Sequence, residues 1–274
     1  MALFKRSLIA LGMALSSIAI PVFAEQEPST QEIRILQEKL LTLDGLNLHL
    51  QKDIPQTKSK AVVVISHGLA SHSGVFGDFA KTMNDNAIAV YRFDHRGHGK
   101  SDGRDSIHIK SYFEMVEDLR LVVEKAKKEN PNVPVFVLGH SMGGHKYSQG
   151  ADGFILAAGV LRYHQMNFGY LPRPEPKDSF IDGSVSLTTL NIPFEGAGLS
   201  VDGDPLMLNK FSVSFSNSFK EGIAYLKDND DKFIAPVVLI SGNKDVFVSP
   251  QDAIFTHCLL RILLHSAGRE VTVM

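Results

Sequence analysis

Between residues 34 and 55 apolar and polar positions alternate, most regularly at Leu46, Leu48 and Leu50, and the turn pair Asp44-Gly45 divides the stretch. A period of two broken by a glycine turn predicts two half-buried strands. Residues 61–66 read Ala-Val-Val-Val-Ile-Ser. A continuous apolar run of that length is too short for a helix and predicts a central parallel strand. A helix is expected near 75–84 and a strand over 87–93. In 111–128, Phe113, Val116, Leu119, Val123 and Ala126 recur at helical spacing, which predicts an amphipathic helix with its lysines and glutamates on the solvated face. Strands are expected at 133–138 and 154–158. Order then lapses from 161 to about 217. It returns as a helix near 218–227, a strand at 237–241, a helix near 250–265 and a final strand at 270–274.

Strands alternating with helices specify an α/β architecture: a mainly parallel, eight-stranded sheet with helices on both faces. Its binding site belongs at the carboxyl ends of the strands. The irregular insertion, about 161–217, is expected to arch over that edge as a cap. Tyr163, Met166, Phe168, Tyr170 and Phe194 within it suit either an acyl chain or packing of the cap onto the core.

Composition changes this picture at one end of the chain. Lys5 and Arg6 precede an uncharged, Leu/Ile/Ala-rich run over 7–24 that contains Pro21 and ends Val22-Phe23-Ala24. This pattern reads as a signal peptide, 1–24, cut after Ala24, and it directs the protein to the periplasm or out of the cell. Pro21 and Ser16-Ser17 argue against an uncleaved anchor. Removing two of the 28 basic residues leaves 26 against 30 acidic ones, a charge of −4. That excess opposes nucleic-acid binding. The one cysteine, Cys258, permits no intramolecular disulfide and reads as a small packed hydrophobe. No His-Glu-x-x-His pattern or cysteine cluster is present, so no metal or other cofactor is expected.

The chemistry concentrates at Gly139-His140-Ser141-Met142-Gly143, which fits Gly-x-Ser-x-Gly directly after an apolar strand. A serine hydroxyl is a weak nucleophile and must stand exposed beside a base and an oxyanion site. A sharp turn after a strand achieves that, with flanking glycines letting neighbouring backbone pass close by. Four further segments accompany it: Leu43-Asp44-Gly45-Leu46, His67-Gly68-Leu69-Ala70-Ser71-His72-Ser73-Gly74, Asp94-His95-Arg96-Gly97-His98-Gly99-Lys100-Ser101, and Ser241-Gly242-Asn243-Lys244-Asp245. With these, the chain from about residue 37 resembles the monoacylglycerol lipase and lysophospholipase branch of the α/β-hydrolases, also labelled serine aminopeptidase-like.

The resemblance implies an α/β-hydrolase fold and a serine carboxylic-ester hydrolase working through an acyl-enzyme. Ser141 would be the nucleophile and Asp245 the acid of the triad. The backbone N–H groups of Leu69 and Met142 would form the oxyanion hole. The substrate would be a small ester or lipid, met through transient contact of the cap with a membrane or lipid aggregate. His67 and Gly68 are expected to shape the oxyanion loop, and His95, Arg96 and His98 to brace theirs.

Two departures from the family stand out. The stretch between Ser141 and the next strand is about two turns short for the family's helix, although roughly eight helical and three extended residues just close the crossover. The second departure concerns the base. The order in this fold is Ser, acid, His, and only His257 and His265 follow Asp245. Both fall on the helix expected at 250–265, which runs away from the catalytic edge, and the chain ends inside the last expected strand. The triad histidine is therefore expected to be missing, with the C-terminus truncated and the chain a slow catalyst. His72 on the oxyanion loop is one substitute to weigh. The alternative reading is accordingly a catalytically impaired or dead hydrolase-fold protein that binds a lipid or ester, or a truncated product. A peptidase is a third and weaker reading.

Overall fold

The computed structural model describes residues 33–104, 109–145, 150–159, 180–182, 203–208, 210–229 and 235–242. The chain divides into two units, Met1–Thr30 and Gln31–Met274, and every described residue belongs to the second. Seven of its strands form one sheet. They are β1 (Arg34–Leu41), β2 (Asn47–Ile54), β3 (Ala61–Ser66), β4 (Ile88–Phe93), β5 (Val135–His140), β6 (Gly153–Ala157) and β9 (Val237–Ile240), in the order β1-β2-β4-β3-β5-β6-β9. The β1–β2 and β2–β4 pairs are antiparallel, and the other four are parallel. The expected eighth strand, 270–274, and the helix at 250–265 lie outside the described residues.

Three helices are described: α1 (Gly77–Asp85), α2 (Tyr112–Glu129) and α3 (Val213–Asp228). α1 links β3 to β4, and α2 links β4 to β5 on the other side of β3. Right-handed crossovers that run in opposite directions across the sheet, β3 to β4 and β4 back past β3 to β5, must use opposite faces of it. The core divides accordingly. Val62 and Val64 of β3 pack with Tyr91, Val135, Val137 and the Leu119, Val122, Val123 and Ala126 stripe of α2. Val63 and Ile65, one register step away, pack with Val90, Leu138 and Ala80 of α1. The uniformly apolar run of β3 is thus buried on both faces, as a central parallel strand requires.

The inward stripe of α2 differs from the one expected. Tyr112, Met115, Leu119, Val122, Val123 and Ala126 are its buried apolar positions, Val116 is half-buried and Phe113 is exposed. Phe113 instead meets Tyr225 of α3 edge to face, with ring centroids 5.0 Å apart. Ser111 caps α2, its side chain accepting from the Phe113 N–H, while Lys127 and Lys128 complement the other end of the dipole.

Within the expected insertion, β7 (Phe180–Asp182) pairs antiparallel with β8 (Lys210–Ser212) as a separate two-stranded sheet. α3 begins at Val213, five residues before its expected start, because the Ser212 hydroxyl accepts from the Phe215 N–H and caps it there. The aromatics expected to serve the cap, from Tyr163 to Phe194, lie outside the described residues.

Candidate active site

The strand order reverses direction about β3, so the carboxyl ends of β3 and β5 flank the point at which a doubly wound sheet opens a crevice. Two segments leave the sheet there: residues 67–74 after β3, and Ser141 onward after β5.

Ser141 sits at φ +51°, a left-handed conformation that a side-chain-bearing residue adopts at a cost of about 1–2 kcal/mol. The strained turn lifts its side chain off the strand end and starts a short 3₁₀ helix, Ser141–His145. Glycines make the turn sterically feasible. A Cβ on Gly143 would lie 1.9 Å from the Ser66 carbonyl oxygen at the end of β3. One on Gly139 would lie 2.5 Å from the Gly144 Cα, and one on Gly144 would lie 2.7 Å from the Gly159 Cα. Backbone therefore passes against backbone on three sides of Ser141. The short crossover uses a 3₁₀ turn over 141–145, which rises about 2 Å per residue where an α-helix rises about 1.5 Å.

The loop after β3 comes against this elbow. A Cβ on Gly68 would lie 3.2 Å from both the Ser141 Cβ and the His140 Nδ1. Residues 68–71 form a turn in which the Ser71 N–H reaches back to the Gly68 carbonyl at 3.4 Å. Ala70 at its third position has φ +62°, a sign usually supplied there by glycine. Leu69 and Met142, the expected oxyanion donors, both belong to an apolar cluster with Ile109, Met115 and Phe215, against which Leu208 and Phe219 also pack.

Both ends of the loop are pinned. His67 is fully buried: its Nδ1–H donates to the Gly68 carbonyl at 2.8 Å, and its Nε2 accepts the His95 N–H at 3.0 Å. At the other end, the Ser73 N–H donates to Asp94 Oδ1 at 2.7 Å and the Ser73 carbonyl accepts from Arg92 at 3.1 Å. Asp94 also accepts the Lys100 N–H at 2.8 Å, and Arg92 holds Asp53 with two hydrogen bonds at 2.6 and 3.1 Å. Arg96 grips buried Asp118 at 2.7 and 2.8 Å and reaches Asp44 at 3.1 and 3.2 Å. Burial works against the Arg96 charge, yet Asp118 and Asp44 together drive its pKa above the ordinary guanidinium value. His95 and His98 complete the bracing through Ser66 Oγ at 3.2 Å and the Arg96 carbonyl at 3.0 Å. The histidines and arginine of this loop therefore brace it, as expected from the sequence.

His72 does not substitute for a triad base. Its Nδ1 accepts the Gly74 N–H at 3.0 Å, and its Nε2 lies 2.8 Å from Asp204 Oδ2, so both ring nitrogens are engaged. The two nitrogens of His67 are likewise taken. Asp245, His257 and His265 lie outside the described residues. Among the described residues no three His, Cys, Asp or Glu side chains group as a metal ion would require. Sequence reasoning missed Asp204, Asp94, Asp53 and Asp118. For Asp204 the available signal was the turn-forming Asp-Gly-Asp-Pro at 202–205, which marks a turn without naming its partner.

Residues 57–181 match the family of serine aminopeptidases, S33. Over 90 residues the chain is 43% identical to a monoacylglycerol lipase of Mycolicibacterium smegmatis, covering 33% of this chain and 32% of that protein. Over 186 residues it is 36% identical to the monoglyceride lipase of Rattus norvegicus, covering 65% and 58%. The aligned regions thus span between about a third and somewhat under two thirds of those relatives. A soluble variant of the monoglyceride lipase of Saccharomyces cerevisiae, solved with a substrate analogue, shares the fold at a TM-score of 0.66 and 18% identity, over 85% of this chain and 84% of that one. A monoacylglycerol lipase of Paleococcus ferrophilus does so at 0.59 and 22%, over 81% and 83%. With a strained serine elbow at the end of β5, a glycine loop packed against it and these neighbours in structure, the chain has the α/β-hydrolase fold, and over part of its length it is similar to the serine aminopeptidase S33 family and to monoglyceride lipases.

Proposed function

We propose that this protein is a carboxylic-ester hydrolase of monoacylglycerol lipase type, with Ser141 as the nucleophile. The observation that carries the reading is Ser141 at φ +51° with the Gly68 turn packed against its Cβ. A nucleophile held on a strained turn beside a second backbone loop meets the geometric demand of acyl transfer, in which the attacking hydroxyl and the oxyanion donors approach one carbonyl. In the proposed mechanism the Ser141 hydroxyl attacks the ester carbonyl and gives up its proton to water, the slow route left where no triad histidine is expected, and water returns a proton to the departing alcohol. The N–H groups of Leu69 and Met142 stabilise the oxygen that becomes negative, and the alcohol leaves to give an acyl-enzyme that water hydrolyses. Asp245 is proposed as the triad acid. With residues 1–24 removed as a leader, the enzyme would act in the periplasm or outside the cell.

The test is release of the chromophore from a chromogenic butyrate ester, and of glycerol from a short monoacylglycerol, by the purified chain beside Ser141→Ala. Turnover that depends on Ser141 is expected with both substrates. Equal rates for the two proteins would refute the reading. Hydrolysis of an amino-terminal peptide amide in preference to either ester would replace it with a peptidase.

A further inference from the structure

His72 in the loop after β3 and Asp204 in the segment 203–208 are 132 positions apart in sequence, yet the segment is fastened directly to that loop. His72 and Asp204 make one fastening. The Gly74 N–H occupies the His72 Nδ1 lone pair at 3.0 Å, which places the ring proton on Nε2, and Nε2–H donates to Asp204 Oδ2 at 2.8 Å. The other Asp204 oxygen accepts the Leu206 N–H at 2.8 Å, so the carboxylate also shapes its own turn. A second fastening is main chain to main chain: the Leu208 N–H donates to the Ala70 carbonyl at 2.9 Å. The same segment is also held from outside that loop, by the Arg104 guanidinium donating to the Pro205 carbonyl. The loop is built to accept the imidazole, since a Cβ on Gly74 would lie 2.6 Å from the His72 ring.

What these contacts hold is the turn 68–71. Its residue Ala70 stands at φ +62°, and a strained backbone persists only where its surroundings over-determine it. The Leu208 N–H fixes the Ala70 carbonyl from outside, and His72–Asp204 fixes where Leu208 lies. We infer that His72 and Asp204 are a positioning pair for the oxyanion hole, through which segment 203–208 sets the aim of the Leu69 N–H at Ser141. The inference rests on the reading of Ser141 as nucleophile. Neither side chain touches the reacting atoms; both act through the Ala70 carbonyl and the turn to which Ala70 belongs.

Removing an oxyanion donor outright costs about a hundred- to a thousandfold in kcat, and a loosened donor costs a part of that. Asp204→Ala is expected to lower kcat on a chromogenic butyrate ester by about ten- to a hundredfold with KM changed less than about threefold. Asp204→Asn keeps an acceptor for the His72 Nε2–H and is expected to recover kcat to within about threefold of the parent. The double variant His72→Ala/Asp204→Ala is expected to be no slower than the slower single one, because the two form one interaction. A purely structural defect would instead raise KM, add across the two sites and gain nothing from asparagine. The second readout does not need turnover. Hydrogen–deuterium exchange in Asp204→Ala is expected to quicken at least tenfold over 68–74 and 203–208 together, with β4 unchanged. Unaltered exchange over 68–74, or a kcat for Asp204→Ala within twofold of an active parent, would overturn the inference. A parent that neither hydrolyses ester nor reacts at Ser141 would overturn the proposed function instead, and the exchange result would still decide whether 203–208 holds the turn.

Discussion

Gly143→Ala puts the smallest side-chain addition at the tightest point of the elbow. The new Cβ would lie 1.9 Å from the Ser66 oxygen, 2.5 Å from the Ser66 carbonyl carbon and 2.8 Å from the His67 oxygen. All three are backbone atoms, two of them at the end of β3, so no rotamer change can relieve the clash. Real Cβ atoms essentially never approach another heavy atom within 3.0 Å, so the turn after Ser141 and the end of β3 must separate by about 1 Å. Overpacking of this kind costs about 1–3 kcal/mol, and a clash with two backbone carbonyls belongs at the upper end or beyond. For a domain of this size that corresponds to a fall in Tm of roughly 5–10 °C. The same 1 Å carries the Ser141 side chain away from the turn at Gly68, and a misplacement of that size costs about a hundredfold in turnover. Gly45→Ala is the control. Gly45 has φ +90° with nothing within 4 Å of an added Cβ, so that variant meets backbone strain of about 1–2 kcal/mol and no clash, in the turn between β1 and β2. Thermal unfolding and hydrolysis of an activated butyrate ester measure both variants. Gly143→Ala melting and turning over like its parent would refute the close approach of the elbow to β3. Gly45→Ala losing turnover as severely as Gly143→Ala would refute the argument that the clash, rather than general destabilisation, does the damage.

Three further outcomes follow from the same geometry. Ser141→Gly is expected to be more stable than Ser141→Ala by about 1 kcal/mol, because only glycine adopts φ +51° without strain; equal urea midpoints would show that the turn relaxes. Asp118→Ala strips the buried Arg96 guanidinium of its two shortest hydrogen bonds while Asp44 and Glu114 remain, and a loss of about 3 kcal/mol in urea unfolding is expected, whereas an unchanged midpoint would show the ion pair to be dispensable. Burial alone would raise the pKa of Glu129, but Lys125, Tyr91 and Lys52 outweigh it and bring it to about 2. A carboxylate depressed on folding contributes stability above its ordinary value near 4.5 and loses it as pH falls toward 2. The Tm of the parent should therefore fall over that window, and that of Glu129→Gln should fall less; parallel curves would contradict the assignment.

The sheet was legible in the sequence where burial on both faces imposes an unbroken apolar run, as in β3, and where a glycine turn separates alternating strands, as at Asp44-Gly45. Ser141 was legible for a related reason: its glycines answer to backbone contacts local to the elbow and follow a strand that can be read. The face of α2 was read correctly at Leu119, Val123 and Ala126 and wrongly in its first turns, where Tyr112 and Met115 rather than Phe113 and Val116 are buried. Phe113 is apolar enough to suggest the core, but it spends its ring on Tyr225 of another helix, a partner that no local period announces. The start of α3 was missed because Ser212 acts as a cap, and a serine flanked by Phe211 and Val213 carries little punctuation of its own. The polar partners of the site were the least legible. His72 and Asp204 are 132 positions apart, and Arg92 and Asp53 are 39 apart. A carboxylate that will be buried against a distant cation looks, in sequence, like one that will face water. Asp245 and the histidines after it lie outside the described residues, so the proposed acid stands on the resemblance of its loop.

The most direct test of the account is to treat the purified protein with a fluorophosphonate and locate the adduct by peptide mass spectrometry, beside Ser141→Ala. The strained elbow and the loop packed on it predict a single adduct, on the peptide that contains Ser141, absent from the variant. An adduct on another serine, or labelling that persists in Ser141→Ala, would contradict the assignment of Ser141 as the nucleophile.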